Sequence, residues 1–399
     1  MVSTSSTTRH LVRGRLVTPF EEVADGVVSV EDGVIVSVGP TEEWARRHPD
    51  VTLPEPMGTV LPGLVDIHCH GGGGKTITTT DADEARSVAA HHALRGSTSL
   101  VGSLVTAAPD VLLDQVRALT PLVEAGDLVG LHLEGPFLSH ARCGAQDPDF
   151  LTEPDVDLVD ELLAIAGGAI KVMTIAPELH GAGEVAARLE VAGVTVALGH
   201  SDASYAVFRD ALRVLHGPGL VTHLGNGMPP FHHRAVGPVG AALAEAAVGD
   251  AVVEVIGDGT HVDDGFVALV FATAAPGSVV LVTDAMAAAG MPDGDYLLGP
   301  QEVQVRDGVA RLAGDSSEPS APRSIAGGTS HLLEVVARAV RHAGIPLVDA
   351  VRAASQTPAR ILGVADRRGA LMAERAADLV VTDEALQPMR VMRRGEWLS

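Results

Sequence analysis

Two histidines separated by one residue, His68 and His70, close the apolar run that begins at Leu61. In an extended strand, positions i and i+2 share a face, so both imidazoles can point to one side and bind a single divalent cation while Cys69 faces the other way. His-x-His alone is a weak motif. Its weight comes from company, because Glu134 in Leu-His-Leu-Glu, His200 in Leu-Gly-His, His223 in Val-Thr-His and Asp284 in Val-Thr-Asp end other apolar runs. Five run ends carrying His, Glu or Asp are hard to attribute to ordinary core satisfaction. Mixed nitrogen and oxygen donors suit Zn²⁺, with Fe²⁺, Co²⁺ or Mn²⁺ as substitutes.

Residues so far apart meet only if the chain carries them to one rim. Short β-branched runs alternate with longer amphipathic stretches from Gly96 onward, the pattern of repeated βα units around a parallel sheet. Eight candidate strands follow: Val60 to His68, Ser97 to Val105, Leu128 to Glu134, Ile170 to Ala176, Val194 to His200, Leu220 to His223, Val252 to Gly257 and Val279 to Asp284. Between them lie helical patterns such as Asp83 to Leu94 and Pro109 to Glu124, with glycine just beyond. The expected fold is a TIM-like (β/α)8 barrel, whose active site gathers at the carboxyl ends of the strands. Leu11 to Val38, broken by the turn Glu31-Asp32-Gly33, and Asp378 to Leu398 are strand-like, so both termini are expected to build one small β-sandwich domain. The expected division is residues 1–58 and 361–399 for that domain and 59–360 for the barrel. Tyr296 to Leu312 reads as an inserted hairpin turning at Arg306-Asp307-Gly308, and Thr329 to Ala343 with Leu347 to Ala354 as helices completing the wall.

Composition narrows the class. A formal charge of −23, from 51 acidic and 28 basic side chains, opposes any broad grip on nucleic acid or anionic lipid, so an anionic substrate needs a local basic anchor. No apolar run approaches the ~18–20 residues that span a bilayer, which argues against a membrane protein. The opening MVSTSSTTRH has no apolar signal core, and 2 cysteines cannot build a disulfide framework; a cytoplasmic location is expected.

The strings LPGLVDIHCHGGGG, GLHLEGPFLS, LGHSDA, THLGNGMPPFHHR, DGTHV, VTDAMAAAG and IAGGTSHLLE, in this order, resemble the signature of the N-acetylglucosamine-6-phosphate deacetylases of the amidohydrolase superfamily. The resemblance implies that Glu134, His200 and His223 ligate the principal metal, that His68 and His70 hold a second one, and that Asp284 is the acid/base; one or two divalent metals per subunit follow. It implies substrate contacts from Ala145, Gln146, Asn226, Gly227, His261, Ile325, Ala326 and Gly327, with Arg234 gripping the sugar phosphate. A phosphorylated N-acetyl amino sugar is the implied substrate and a homodimer the implied assembly. Arginine suits the phosphate because its fork of donors matches the oxygens.

Three positions depart from the family's pattern. Gln146 stands where members often carry a histidine, and glutamine can donate a hydrogen bond but cannot be cationic. Gly225 and Gly227 replace bulkier residues beside Asn226, and Lys75 follows the glycine run. The other histidines read as packing or surface groups: His132 as second shell or barrel filler, His91, His92, His216 and His342 as surface or boundary residues. Cys143 reads as an idle thiol in a polar loop, and Gly71 to Gly74 as a close-approach turn, since it lacks the Lys-Ser/Thr ending of a phosphate loop. Rival readings are a deacetylase for N-acetylgalactosamine 6-phosphate, a cyclic-amide hydrolase, a deaminase, and a barrel that binds without catalysing. Glu134 stands where cyclic-amide hydrolases usually carry a carboxylated lysine, and no ligand is missing, which favours a working deacetylase.

Overall fold

The computed structural model describes residues 8–313 and 323–399; residues 1–7, most of the opening segment discussed above, lie outside the described residues. Eight parallel strands form one sheet in chain order: Val65–Asp66, Ser99–Val105, Gly130–Glu134, Ile170–Ile175, Thr195–Leu198, Gly219–Val221, Ala251–Val255 and Val279–Leu281. Their near-continuous apolar sequences are those of strands covered on both faces. At the carboxyl end the ring is drawn together by Asp284 N–H donating to His68 O at 2.9 Å and by a bridge between Cys69 and Ala285. Inside, Val65, Val101, Val172, Ala197, Leu220, Val252 and Val280 pack with Ala359 and Leu362. Those two come from and follow the helix Gln356–Ile361, which the sequence reading did not anticipate.

Helices cover the outside. Pro109–Ala125 shows why one forms: proline opens it, Leu112, Val116 and Leu119 recur on its buried face, and Gly126 ends it at φ 77°. Among the described residues no helix is long and apolar enough to cross a membrane.

The first expected strand, Val60 to His68, is two strands. Thr59–Pro62 joins the sheet of the termini, pairing with Arg9–Val17 and Leu379–Thr382, and only Val65–Asp66 enters the barrel. The break falls at Pro62-Gly63, where proline supplies no N–H donor and the chain squeezes past its neighbours. A Cβ on Gly63 would lie 2.1 Å from Thr98 Oγ1 and 2.8 Å from Asp378 Cβ, so only glycine fits. Residues 59–62 therefore sit with the small sheet, not the barrel.

That sheet has seven strands, including Glu22–Glu31 and Val34–Pro40 from the N-terminal side and Pro388–Arg393 and Glu396–Trp397 from the C-terminal side. The turn at Asp32-Gly33 has both residues at positive φ, 46° and 80°, as a tight hairpin requires. Val12, Leu16, Val28, Val30, Val60, Leu379 and Met392 give it its own core. The excursion after the eighth strand is a three-stranded meander, Gly294–Leu298, Gln301–Arg306 and Val309–Leu312, one strand more than the expected hairpin. Its apolar face, with Leu298, Val303 and Val305, packs on Met286 and Ala326 and so supports the loop that follows Asp284.

Gly63→Ala should destabilise the chain by about 1–3 kcal/mol through overpacking. Urea denaturation checks this; an unchanged midpoint would mean the junction has room to spare.

Candidate active site

Every ligand-type residue singled out above ends a barrel strand at the same rim. Glu134 is the last residue of Gly130–Glu134, while His200 and His223 lie two residues beyond theirs and Asp284 three. Those three have φ values of 46°, 28° and 46°, a backbone region that residues other than glycine seldom occupy. Each such conformation costs on the order of 1–3 kcal/mol and persists only where the surroundings impose it. Here the strand must turn sharply to aim its side chain across the mouth. Gly227, at φ +58°, allows the next loop to press on His200; a Cβ there would lie 2.9 Å from His200 Nδ1.

The ligand atoms converge on one small volume. Glu134 Oε1 is 2.9 Å from His223 Nε2 and 3.1 Å from His200 Nε2, and those two nitrogens are 3.1 Å apart. Glu134 Oε2 is 3.2 Å from His70 Nε2. His68 Nε2 and His70 Nε2 are 3.2 Å apart, at 3.4 Å and 3.2 Å from Asp284 Oδ1. Two clusters result, Glu134 with His200 and His223, and His68 with His70 and Asp284, joined through Glu134.

The far sides of the rings show what these atoms need. His70 Nδ1 donates to Ser103 O at 3.1 Å and His200 Nδ1 to Arg142 O at 2.7 Å; a carbonyl can only accept, so the ring proton sits on Nδ1 in both. His68 Nδ1 faces the Glu254 carboxylate at 3.1 Å. Three Nε2 lone pairs and two carboxylates therefore face one another across about 3 Å, an arrangement that repels itself unless positive charge enters. Protons or a cation can supply it. Burial would push His68, His70 and His200 down, yet the Asp284 and Glu134 carboxylates raise all three. Conversely, burial would raise Glu134, but His68, His200 and His223 hold it well below the usual carboxylate range. Asp284, buried beside His68 and His70, is lowered to about 2. Imidazole nitrogens and carboxylate oxygens in this number fit divalent Zn²⁺ or a similar ion. Glu134, His200 and His223 offer one such position and His68 with His70 another.

A cavity of about 210 Å³ opens over these atoms. Of the predicted substrate residues, Ala145, Gln146, Asn226, Gly227, His261, Ile325 and Gly327 line it. Ala326 does not; it is buried behind, its N–H donating to Ala310 O at 3.0 Å. Arg234 is exposed and absent from the lining, which among the described residues contains no lysine or arginine. The chain turns outward at Phe231-His232-His233-Arg234, with Arg234 N–H donating to His232 Nδ1 at 3.2 Å. Gln146 is committed to the site itself: its Nε2 donates to Glu134 Oε2 at 2.6 Å and its Oε1 accepts from Thr106 N–H at 2.8 Å. His261 is braced by Asp258, Nδ1 to Oδ2 at 2.8 Å.

The remaining histidines divide. His132 is a hydrogen-bonded barrel filler, between Ser103 Oγ at 3.0 Å and Thr174 Oγ1 at 2.8 Å. His92 is fully buried, contrary to its reading as a boundary residue; its Nε2 donates to Gly71 O at 3.0 Å, and burial pushes its pKa down to about 3. It is held by the glycine turn after His70, which also keeps Lys75 exposed. Glu254 was missed. Its signal was a lone acid inside the apolar strand Ala-Val-Val-Glu-Val, where every neighbour is buried.

The amidohydrolase family pattern matches residues 59–398, and the chain belongs to that family. Among its relatives is the N-acetylglucosamine-6-phosphate deacetylase of Bacillus subtilis, 31% identical over 95% of this chain and 94% of that protein. The N-acetylgalactosamine-6-phosphate deacetylase of Escherichia coli O157:H7 is 32% identical, over 98% and 99%. Among solved structures, a variant N-acetyl-D-glucosamine-6-phosphate deacetylase from Mycobacterium smegmatis, in complex with N-acetyl-D-glucosamine 6-phosphate, superposes with a TM-score of 0.90 and 39% identity over 98% of this chain and 99% of that one.

Stripping the protein with a chelator should lower its melting temperature, and restoring a divalent cation should recover it. At a hundred times the dissociation constant the gain is about 2.7 kcal/mol. Differential scanning calorimetry decides, and a melting temperature indifferent to chelator and cation alike would mean that protons alone relieve the cluster.

Proposed function

We propose that this chain hydrolyses the acetamide of N-acetyl-D-glucosamine 6-phosphate to glucosamine 6-phosphate and acetate. The observation that carries the reading is the meeting of Glu134, His200, His223 and Asp284 at the mouth of one barrel, in a chain 39% identical to a deacetylase solved with that sugar phosphate. Glu134, His200 and His223 would hold the principal divalent cation, Zn²⁺ by preference and Fe²⁺, Co²⁺ or Mn²⁺ as alternatives, and His68 with His70 a second. Such an ion supplies Lewis acidity, acidifying water and polarising an amide carbonyl.

The chain's own groups do the rest. Asp284, held ionised among His68 and His70, accepts a proton from the attacking water. The water oxygen bonds to the acetyl carbon, the carbon–nitrogen bond breaks, and Asp284 returns its proton to the departing nitrogen. That second transfer is needed because an amine anion is a poor leaving group. Gln146 fixes one Glu134 oxygen and so keeps that carboxylate from swinging into the substrate's space. Asn226, Gly227 and His261 face the sugar from the lining, and Arg234 is proposed to meet the phosphate beyond them.

A second reading has a specific observation behind it: the galactosamine-type relative matches as well as the glucosamine-type one, at 32% against 31% identity. Acetate release from both phosphorylated epimers separates the two readings. Higher kcat/KM for the gluco epimer supports the first, and the reverse order replaces it.

Asp284→Asn should lower kcat by at least about a hundredfold, the scale of a lost general acid/base, while the protein still binds metal. Near-normal turnover would remove Asp284 from the proton path. Arg234→Ala should raise KM for the phosphorylated sugar about tenfold or more, the value of a charged hydrogen bond, and spare unphosphorylated N-acetylglucosamine. Equal losses on both substrates, or none, would end its phosphate role.

A further inference from the structure

Glu254 stands in the seventh barrel strand, Ala251–Val255, 1% exposed, and among the described residues its one ion-pair partner is His68. A single oxygen, Oε2, accepts twice: from His68 Nδ1 at 3.1 Å and from the backbone N–H of His223 at 3.2 Å. The backbone carbonyl of the same residue accepts from Leu224 N–H at 2.8 Å. Glu254 thus grips one imidazole of the His68–His70 cluster and two consecutive amides at the root of an imidazole of the Glu134–His200–His223 cluster.

We propose that Glu254 is a positioning residue that ties the two candidate cation positions together, so that ligand geometry at one depends on the other. The proposal rests on the reading of these histidines as metal ligands. At His68 the carboxylate holds the ring proton on Nδ1, which leaves the Nε2 lone pair aimed into the cluster and strengthens it as a donor. At His223 the role is indirect. His70 and His200 are oriented by carbonyls at their Nδ1 atoms, but His223 Nδ1 is buried with no partner among the described residues. Its ring direction is therefore set by its backbone, and that backbone sits at φ 28°, a strained conformation that needs an external hold. The two amide hydrogen bonds to Glu254 are that hold. Its negative charge also joins those of Glu134 and Asp284, offsetting the positive charge that the cluster requires.

The test compares the chelator-stripped parent with Glu254→Leu, which keeps comparable bulk and removes the oxygen that accepts from both His68 Nδ1 and His223 N–H. Zn²⁺ affinity is read for each binding step by competition with a chromophoric chelator, with circular dichroism confirming the fold. Glu254→Leu should weaken both steps, by about ten- to a hundredfold each, the range for an outer partner of a metal-ligating histidine. Parent affinity in both steps, or loss in one step alone, overturns the tie. A parent that binds no Zn²⁺ overturns the functional reading itself, and the two failures are thereby distinct. Should the variant not fold, ¹⁵N-histidine NMR of the unmodified Zn²⁺-loaded chain asks the same question. A His68 ring protonated on Nδ1 supports the proposal, and one protonated on Nε2 contradicts it.

Discussion

Glu134 gives one oxygen to His200 and His223 and the other to His70, and the rest of the barrel is arranged around keeping that buried carboxylate charged. An isolated carboxylate in such a place would simply take up a proton, because burial without a partner costs several kcal/mol. Four imidazoles and the Gln146 amide prevent it. They do so only while positive charge is present, as protons or a cation, because the Nδ1 partners of His68, His70 and His200 otherwise leave Nε2 lone pairs facing the carboxylates. A cation entering the pocket meets preformed nitrogen and oxygen donors and replaces those protons, which is the physical basis of a preference for a cation.

The cost of that arrangement is distributed over the scaffold. Three site residues leave their strands through unfavourable φ values, and each is braced by something that does no chemistry. Gly227 lets a loop press on His200. Glu254 clamps the turn at His223. Asp284 donates its N–H to His68 O and accepts at its own carbonyl from Gly328 N–H at 2.6 Å, with the meander packed behind Met286. The small sheet holds the segment that leads into Val65–Asp66 through Thr59–Pro62, so sheet and barrel together fix where His68 and His70 stand.

Much of this was legible because barrel chemistry gathers at strand ends, and strand ends are visible as apolar runs closed by a polar residue. Leu128 to Glu134 and Val279 to Asp284 announce themselves in this way, and seven of the anticipated substrate residues do line the cavity. The split at Pro62-Gly63 was not legible, since Val60 and Leu61 suit either sheet and only the packing of Thr98 and Asp378 against Gly63 decides. Nor was the exposure of Arg234, which depends on how a loop turns, not on residue type. Glu254 and the partnership of Gln146 with Glu134 were hidden for another reason. Both are contacts between distant strands or loops, and a lone polar residue carries no mark of whom it will meet.

The central claim, that the Glu134 cluster exists to hold a cation, is tested most directly by anomalous X-ray diffraction from crystals grown with Zn²⁺, recorded at the zinc edge. A peak within bonding distance of Glu134, His200 Nε2 and His223 Nε2 is expected. A zinc-free cluster, or a peak only at sites remote from Glu134, would contradict it.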